Sequence, residues 1–253
     1  MIEVELAARA AALVAGARRV LVITGAGISA DAGLPTYRGI GGLYEGAVTD
    51  EGMPIEVALS GATMDRDPAL CWKYIAAVER ACRGARPSRG HQVLAELERR
   101  LPHLCVLTQN VDGLHRAAGS QNVIEIHGTV HQLRCDRCLR RRQVDDYTGL
   151  DIPPRCACGH VERPDVVLFG EMLPWPEVRR LEAELDAEPD LVISIGTTSV
   201  FPYIAGPVED AARRGTPTIE INPGDSEVSH VVAVRLRTSA AEALDAIARA
   251  LAM

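Results

Sequence analysis

The feature that most restricts this chain's fold is a series of short apolar runs that do not alternate. "VLVIT" (20–24), "LCVLT" (104–108), "VIEI" (123–126), "VVLF" (166–169), "LVISI" (191–195), "TIEI" (218–221) and "VVAV" (231–234) are the candidate strands. A strand solvated on one side alternates apolar and polar residues, whereas a continuous run needs cover on both faces. Helix-like segments separate the runs, so the expected fold class is α/β, a Rossmann-like parallel sheet of doubly wound type. The last helix opens with "SAAE" (239–242), a capping-box pattern.

Two stretches break that rhythm. Residues 40–98 are helix-like without a strand candidate, and 129–163 hold four cysteines and many charges. Both read as insertions building a smaller module. The expected division is a sheet domain of 1–39, 99–128 and 164–253, a helical part of 40–98 and a metal-binding part of 129–163.

A chain of 253 residues can bury a sizeable core as one domain with insertions. Its 47% hydrophobic and 24% charged residues are ordinary for a globular protein. The formal net charge of −7 speaks against a general nucleic-acid binder, and the arginines of "RCDRCLRRR" (134–142) read as a solvated surface. No apolar run approaches the roughly 18 residues of a membrane span. The N-terminal stretch has Glu3 and Glu5 where a signal peptide is basic, and reads as an amphipathic helix. A cytoplasmic, monomeric protein is expected.

Gly25-Ala26-Gly27 follows the first apolar run directly. There a tight turn can aim backbone N–H groups at a pyrophosphate near a helix N-terminus. The acidic residue that a dehydrogenase carries about 20 residues later is missing, because Asp50 and Glu51 follow "GGLYEGAVT", which is not strand-like. Pro35 ends any helix begun after the loop, and Tyr37 and Arg38 follow on an irregular segment where a guanidinium can meet phosphate or ribose oxygens. "TQNVDGLH" (108–115) sets Gln109, Asn110, Asp112 and His115 at a strand's C-terminal end, where open α/β sheets bind ligands. His127 ends another run, facing the same crevice, and its ordinary pKa of about 6.5 suits a base near neutrality.

Cys135 and Cys138, then Cys156 and Cys158, form two close pairs that can meet at one tetrahedral zinc, leaving no open position for catalysis. A disulfide pair or a redox dithiol is the competing reading, and His160 is an alternate ligand. Cys71, Cys82 and Cys105 read as small core residues.

Taken in order, "GAGISADAGLPTYR" (25–38), "TQNVDGLH" (108–115), "HG" (127–128), the four cysteines, "RPDVVLFGE" (163–171), "GTTS" (196–199) and "IEINP" (219–223) resemble the sirtuin family of NAD-dependent protein lysine deacylases. The resemblance covers nearly the whole chain. It implies that Gly25, Ala26 and Gly27 hold the pyrophosphate of NAD and that Tyr37 and Arg38 close beside the nicotinamide ribose. Gln109, Asn110 and Asp112 would form the nicotinamide and ribose pocket, with His127 as general base. Gly196, Thr197, Thr198 and Asn222 would hold the adenosine half, and Tyr74, Val167, Phe169, Gly170 and Glu171 would meet the acyl-lysine substrate. Zinc would be structural. The implied chemistry is attack of the acyl oxygen on the ribose, release of nicotinamide, and transfer of the acyl group to give 2′-O-acyl-ADP-ribose.

Two positions depart from the family pattern. The branch that removes acidic acyl groups carries Tyr-x-x-Arg on a helix of the small module. Here Tyr74 is followed three residues later by Ala77, while Arg80, six residues on, points elsewhere. A neutral acyl group such as acetyl is therefore expected. "GTTSVFPYIAG" (196–206) is one residue shorter before its proline. The alternatives are a desuccinylase or demalonylase, a mono-ADP-ribosyltransferase, a non-catalytic NAD or partner-binding module and, last, a nicotinamide oxidoreductase.

Overall fold

Strand β1 (Arg19–Thr24) lies at the middle of a six-stranded, all-parallel sheet. Its other strands are β2 (His103–Thr108), β3 (Val123–Glu125), β7 (Leu191–Ile195), β8 (Thr218–Ile221) and β9 (Val234–Leu236). The order is β3-β2-β1-β7-β8-β9, so the chain adds strands outward on one side of β1 and then crosses over to continue from β7. That reversal between β1 and β7 opens a crevice at the strands' carboxyl ends, the binding position of doubly wound sheets. This computed structural model describes residues 4–35 and 49–253.

Burial explains the continuous runs. In β1, Val20 and Val22 join a core formed with the helices Val4–Gly16, Arg89–Arg100 and Ala240–Ala250, while Leu21 and Ile23 face the opposite core under the helices Trp175–Asp186 and Pro202–Arg213. Leu104 and Val106 against Cys105 and Leu107 divide β2 in the same way. Both faces exclude water, so neither tolerates a polar alternate. The closing helix begins as expected, with Ser239 Oγ accepting from Glu242 N at 3.3 Å.

Three strands form a separate antiparallel sheet, β5 (Arg141–Gln143), β4 (Gly128–Arg134) and β6 (Arg163–Val166), in the order β5-β4-β6. This corrects two strand expectations. "VVLF" contributes only Val166 to a strand, and that strand belongs to the small sheet rather than the parallel one. Residues 231–234 are strand only at Val234, which opens β9. The 129–163 stretch holds most of β4 and all of β5; its side chains are charged because this ribbon is only partly covered.

A third core, built on Trp72, Ile75, Leu133 and Tyr147, joins this ribbon to the helices Ile55–Ala58, Gly61–Arg66 and Pro68–Cys82. Trp72 Nε1 donates to Glu162 O at 2.8 Å, and its ring meets Tyr147 edge-on at 5.4 Å. The Arg89–Arg100 helix lays Val93, Leu94 and Leu97 in the core against the sheet. Cys71 and Cys105 are fully buried as expected, whereas Cys82 is partly exposed on a cavity wall.

Candidate active site

The crevice is assembled from four segments. Gly25 to Ser29 follow β1, Gln109 to Gly113 follow β2, His127 and Gly128 follow β3, and Gly196 to Ser199 follow β7. The β1 segment coils into a short helix, Ala26–Ala30, that ends in a turn at Gly33, where φ is +83°, before Pro35 is reached. Pro35 is therefore not what stops it.

The N–H groups of Gly25 and Gly27 bond across to β7 and the loop after it. Gly25 N donates to Ile195 O at 3.0 Å and Gly27 N to Gly196 O at 2.8 Å. Both glycines let the two crevice loops touch, since a Cβ on Gly25 would sit 2.8 Å from Gly196 O. Ala26 lies between them, half-buried.

Asn110 Nδ2 donates to Gly25 O at 3.1 Å and to Ser29 Oγ at 3.0 Å, and Ser29 Oγ donates to Asp112 Oδ2 at 2.7 Å. Asp112 Oδ1 accepts Leu114 N at 3.0 Å. One chain of hydrogen bonds thus ties the β1 loop to the β2 loop and fixes the Asp112 carboxylate at the crevice. Gln109 Nε2 donates to Thr197 Oγ1 at 2.9 Å, and Asn222 Nδ2 to Thr197 O at 3.0 Å. Thr197 is buried by these contacts, while Thr198 stays exposed. His115 is turned inward: its Nε2 bonds Thr24 Oγ1 at 2.9 Å beneath the crevice.

His127 has a defined tautomer. Its Nδ1 lies 3.0 Å from Gln109 O, and a carbonyl only accepts, so Nδ1 carries the proton. Nε2 is then the basic nitrogen and accepts the Tyr203 hydroxyl at 2.7 Å. Burial lowers the pKa of His127, against the Gln109 carbonyl's support for the charged form, so the ring is neutral near pH 7. Gly128 gives the ring its place at the sheet's edge. With φ at +77°, and with Asp165 O only 1.9 Å from where a Cβ would stand, the turn from β3 into β4 accepts only glycine.

Beyond His127, Val167 N donates to His127 O at 2.9 Å. Phe169 bonds the helical module through its backbone, its N–H on Leu59 O and its C=O on Gly61 N. Glu171 is turned inward, bonding Arg163 at 2.6 and 2.8 Å and Leu168 N at 2.9 Å. That carboxylate braces the 168–171 turn. Tyr74 is buried, and its hydroxyl donates to Glu51, which also pairs with Lys73 at 2.6 Å. Tyr37 and Arg38 lie outside the described residues.

Cys135, Cys138, Cys156 and Cys158 converge, with all four sulfur atoms within 4.8 Å of one another. Sulfur contacts of 3.5 Å join Cys135 to Cys158 and Cys138 to Cys156, close to the edge of a tetrahedron with zinc–sulfur bonds of about 2.3 Å. Each pair sits on a tight hairpin turn, closed by Cys135 N to Arg140 O and by Cys156 N to His160 O. The backbone N–H of Cys138 points at the Cys135 sulfur and lowers its pKa, favouring the thiolate a metal needs. No sulfur pair is a disulfide, and His160 is outside the cluster. The donor set fits one zinc.

Sequence reasoning missed Ser29 and Tyr203. Ser29 lay inside a quoted motif but has no ligand-binding signature of its own; Tyr203 lies 76 residues from its partner His127.

A parallel sheet of this strand order, a polar crevice at its switch point and a four-thiolate ribbon define an α/β protein built for a dinucleotide, with a metal-stabilised module beside it. The Sir2 family model matches residues 25–202, and the chain belongs to that family. A relative from Pseudomonas aeruginosa called NAD-dependent protein deacylase 2 is 51% identical over 224 residues, 87% of each chain. One of the same name from Pseudomonas syringae pv. tomato is 49% identical over 240 residues, 93% of this chain and 96% of its own. Among solved structures, a Sir2 homologue in complex with NAD superposes with a TM-score of 0.87 at 34% identity, covering 96% of this chain and 93% of that one.

Proposed function

We propose that this protein is an NAD-dependent protein lysine deacylase that removes acetyl or another neutral acyl group. The observation that carries the reading is His127: neutral, held by its Nδ1–H on Gln109 O, with Nε2 basic and meeting the Tyr203 hydroxyl, at the strand ends that also bear Asn110 and Asp112. A passive sensor has no use for such a base, and a nicotinamide oxidoreductase would release no nicotinamide. The names of the Pseudomonas relatives support the same activity.

The crevice residues fit NAD as co-substrate. Ala26, Gln109, Asn110, Asp112, Thr198 and Asn222 would hold it with neutral amides, hydroxyls and one carboxylate, and Tyr37 and Arg38 belong to this proposal too. When bound, NAD supplies an electrophilic sugar carbon and the hydroxyl that takes the acyl group. His127 Nε2 accepts a proton from a sugar hydroxyl, and the Gln109 carbonyl steadies the charge that appears on the ring through Nδ1–H. Val167, Phe169 and Gly170 keep the reacting lysine's channel apolar, which strengthens every polar contact inside it. Four thiolates would hold one structural zinc.

Neutral acyl groups are favoured by Tyr74 and Glu51. Where an acidic acyl group needs a cation, position 77 is alanine and the Tyr74 hydroxyl already meets a carboxylate. An unpaired carboxylate entering there would lose its hydration uncompensated. The test is mass spectrometry of acetyl-lysine and succinyl-lysine peptides incubated with NAD, using wild type and His127→Ala. Acetyl loss with nicotinamide release, abolished in the variant, supports the reading. Faster succinyl loss overturns the acyl assignment, and ADP-ribose found on protein instead selects the transferase.

A further inference from the structure

The loop that departs from the family pattern delivers an aromatic pair onto the base. After β7, Gly196 and Ser199 both take positive φ, +57° and +55°, and fold the chain back before Pro202 starts the next helix. Tyr203 therefore falls in that helix's first turn. Its ring stacks on Phe201 with centroids 5.4 Å apart and 14° between planes, and both rings meet His127 nearly edge-on, at 6.0 and 6.2 Å. The groups placed on the imidazole come from two segments: the Gln109 carbonyl from one, the Phe201 ring and the Tyr203 hydroxyl from the other. None is charged at neutral pH, because burial pushes the Tyr203 phenol up to about 12.

Nε2 has one lone pair, and Tyr203 O–H points at it from 2.7 Å. We propose that Tyr203 is a gate on the base, occupying His127 Nε2 until acyl-lysine and NAD together displace it. The proposal rests on the deacylase reading and gives the shortened loop a purpose. A base left open beside bound NAD invites hydrolysis. Water would then give its proton to Nε2 while its oxygen bonds the sugar carbon and nicotinamide leaves with the glycosidic electron pair. With the lone pair engaged by Tyr203, that water cannot give its proton to the imidazole. Displacement needs only a side-chain rotation, because Tyr203 is half-buried and the neighbouring Val200 and Phe201 are exposed at the rim.

Tyr203→Phe tests this, since it keeps the ring stack and removes only the hydroxyl. Two measurements are made on the full chain: nicotinamide released from NAD without peptide relative to release with acetyl peptide, and the ligand-free pH titration of His127 by imidazole 15N NMR. The ratio should rise about two- to tenfold, the worth of one neutral hydrogen bond. A donor on Nε2 favours the neutral ring, so its loss should move the His127 midpoint upward by about half to one pH unit. A fall in both releases by about a hundredfold or more, typical of losing a proton-transfer group, overturns the gate in favour of a proton relay. An unmoved midpoint in an active enzyme also overturns it, as does a moved midpoint with no gain in the ratio. If neither protein releases nicotinamide under any condition, the deacylase reading falls and takes the gate with it.

Discussion

Gly27 and Gly196 touch backbone to backbone: a Cβ on Gly27 would lie 2.5 Å from Gly196 Cα, and one on Gly196 would lie 2.6 Å from Gly27 Cα. The neighbouring atoms are main chain and cannot rotate away. Gly27→Ala should therefore push the β1 and β7 loops apart and cost about 1–3 kcal/mol, the usual penalty of overpacking. Urea unfolding would read the loss, and calorimetric titration with NAD should show binding weakened in parallel.

The acid side of the rate profile should lie low. Because burial depresses the His127 pKa, its base form persists below the ordinary histidine value of about 6.5 and is lost only as the pH falls through the lowered value. Deacylation rates followed from pH 8 to 5 check this. An acid limb centred above 7 would contradict a buried neutral base.

Stability should fall on acidification for a related reason. His115 is buried against His91, and desolvation brings it to about 3. The unfolded chain binds a proton there near pH 6.5 and the folded one does not, so this contribution is complete above about 6.5 and lost as the pH drops toward 3. His115→Asn should be less stable at pH 7 and show a shallower pH slope, measured by urea midpoints at pH 7, 5 and 4.

Removing the metal should disorder the ribbon before the sheet. Trp72 bonds Glu162, next to β6, whereas Trp175, the other tryptophan, is 65% exposed. A chelator, or Cys135→Ser, should therefore red-shift the Trp72 emission while most of the far-ultraviolet dichroism remains. Elemental analysis should find about one zinc per chain, as a four-thiolate site requires.

Arg163 and Glu171 provide a mutational test of the 168–171 turn. The arginine side chain is 5% exposed and the carboxylate 23%. Arg163→Ala leaves Glu171 without its cation and should cost about 3 kcal/mol, toward the low end for a broken buried pair because the acid is partly solvated. If Leu168–Gly170 shapes the substrate channel, the KM for the acetyl peptide should rise as well.

Much of this fold was legible in the residues. Continuous apolar runs such as 20–24 and 104–108 mark doubly covered strands because burial on both faces leaves a direct record in composition. The cysteine pairs were equally plain, since thiolate spacing on tight turns is itself the metal signal. The ribbon strands were not legible. Gly128–Arg134 is half-covered and bulged between Thr129 and Leu133, so neither a run nor a clean alternation survives. Residues 166–169 and 231–234 were apolar enough for strands, but partners aligned with only their first or last residue.

The chain by itself determined which residues the site would gather, because each stands at the end of its own strand and a parallel sheet brings strand ends to one edge. What each does there was decided by contacts between segments far apart in sequence. The N–H groups of Gly25 and Gly27 bond Ile195 and Gly196, and Glu171 was turned onto Arg163. The proton of His127 was set by Gln109, and its lone pair by Tyr203, 76 residues on. Local sequence records burial and turn chemistry, but a hydrogen bond's partner exists only once packing has chosen it.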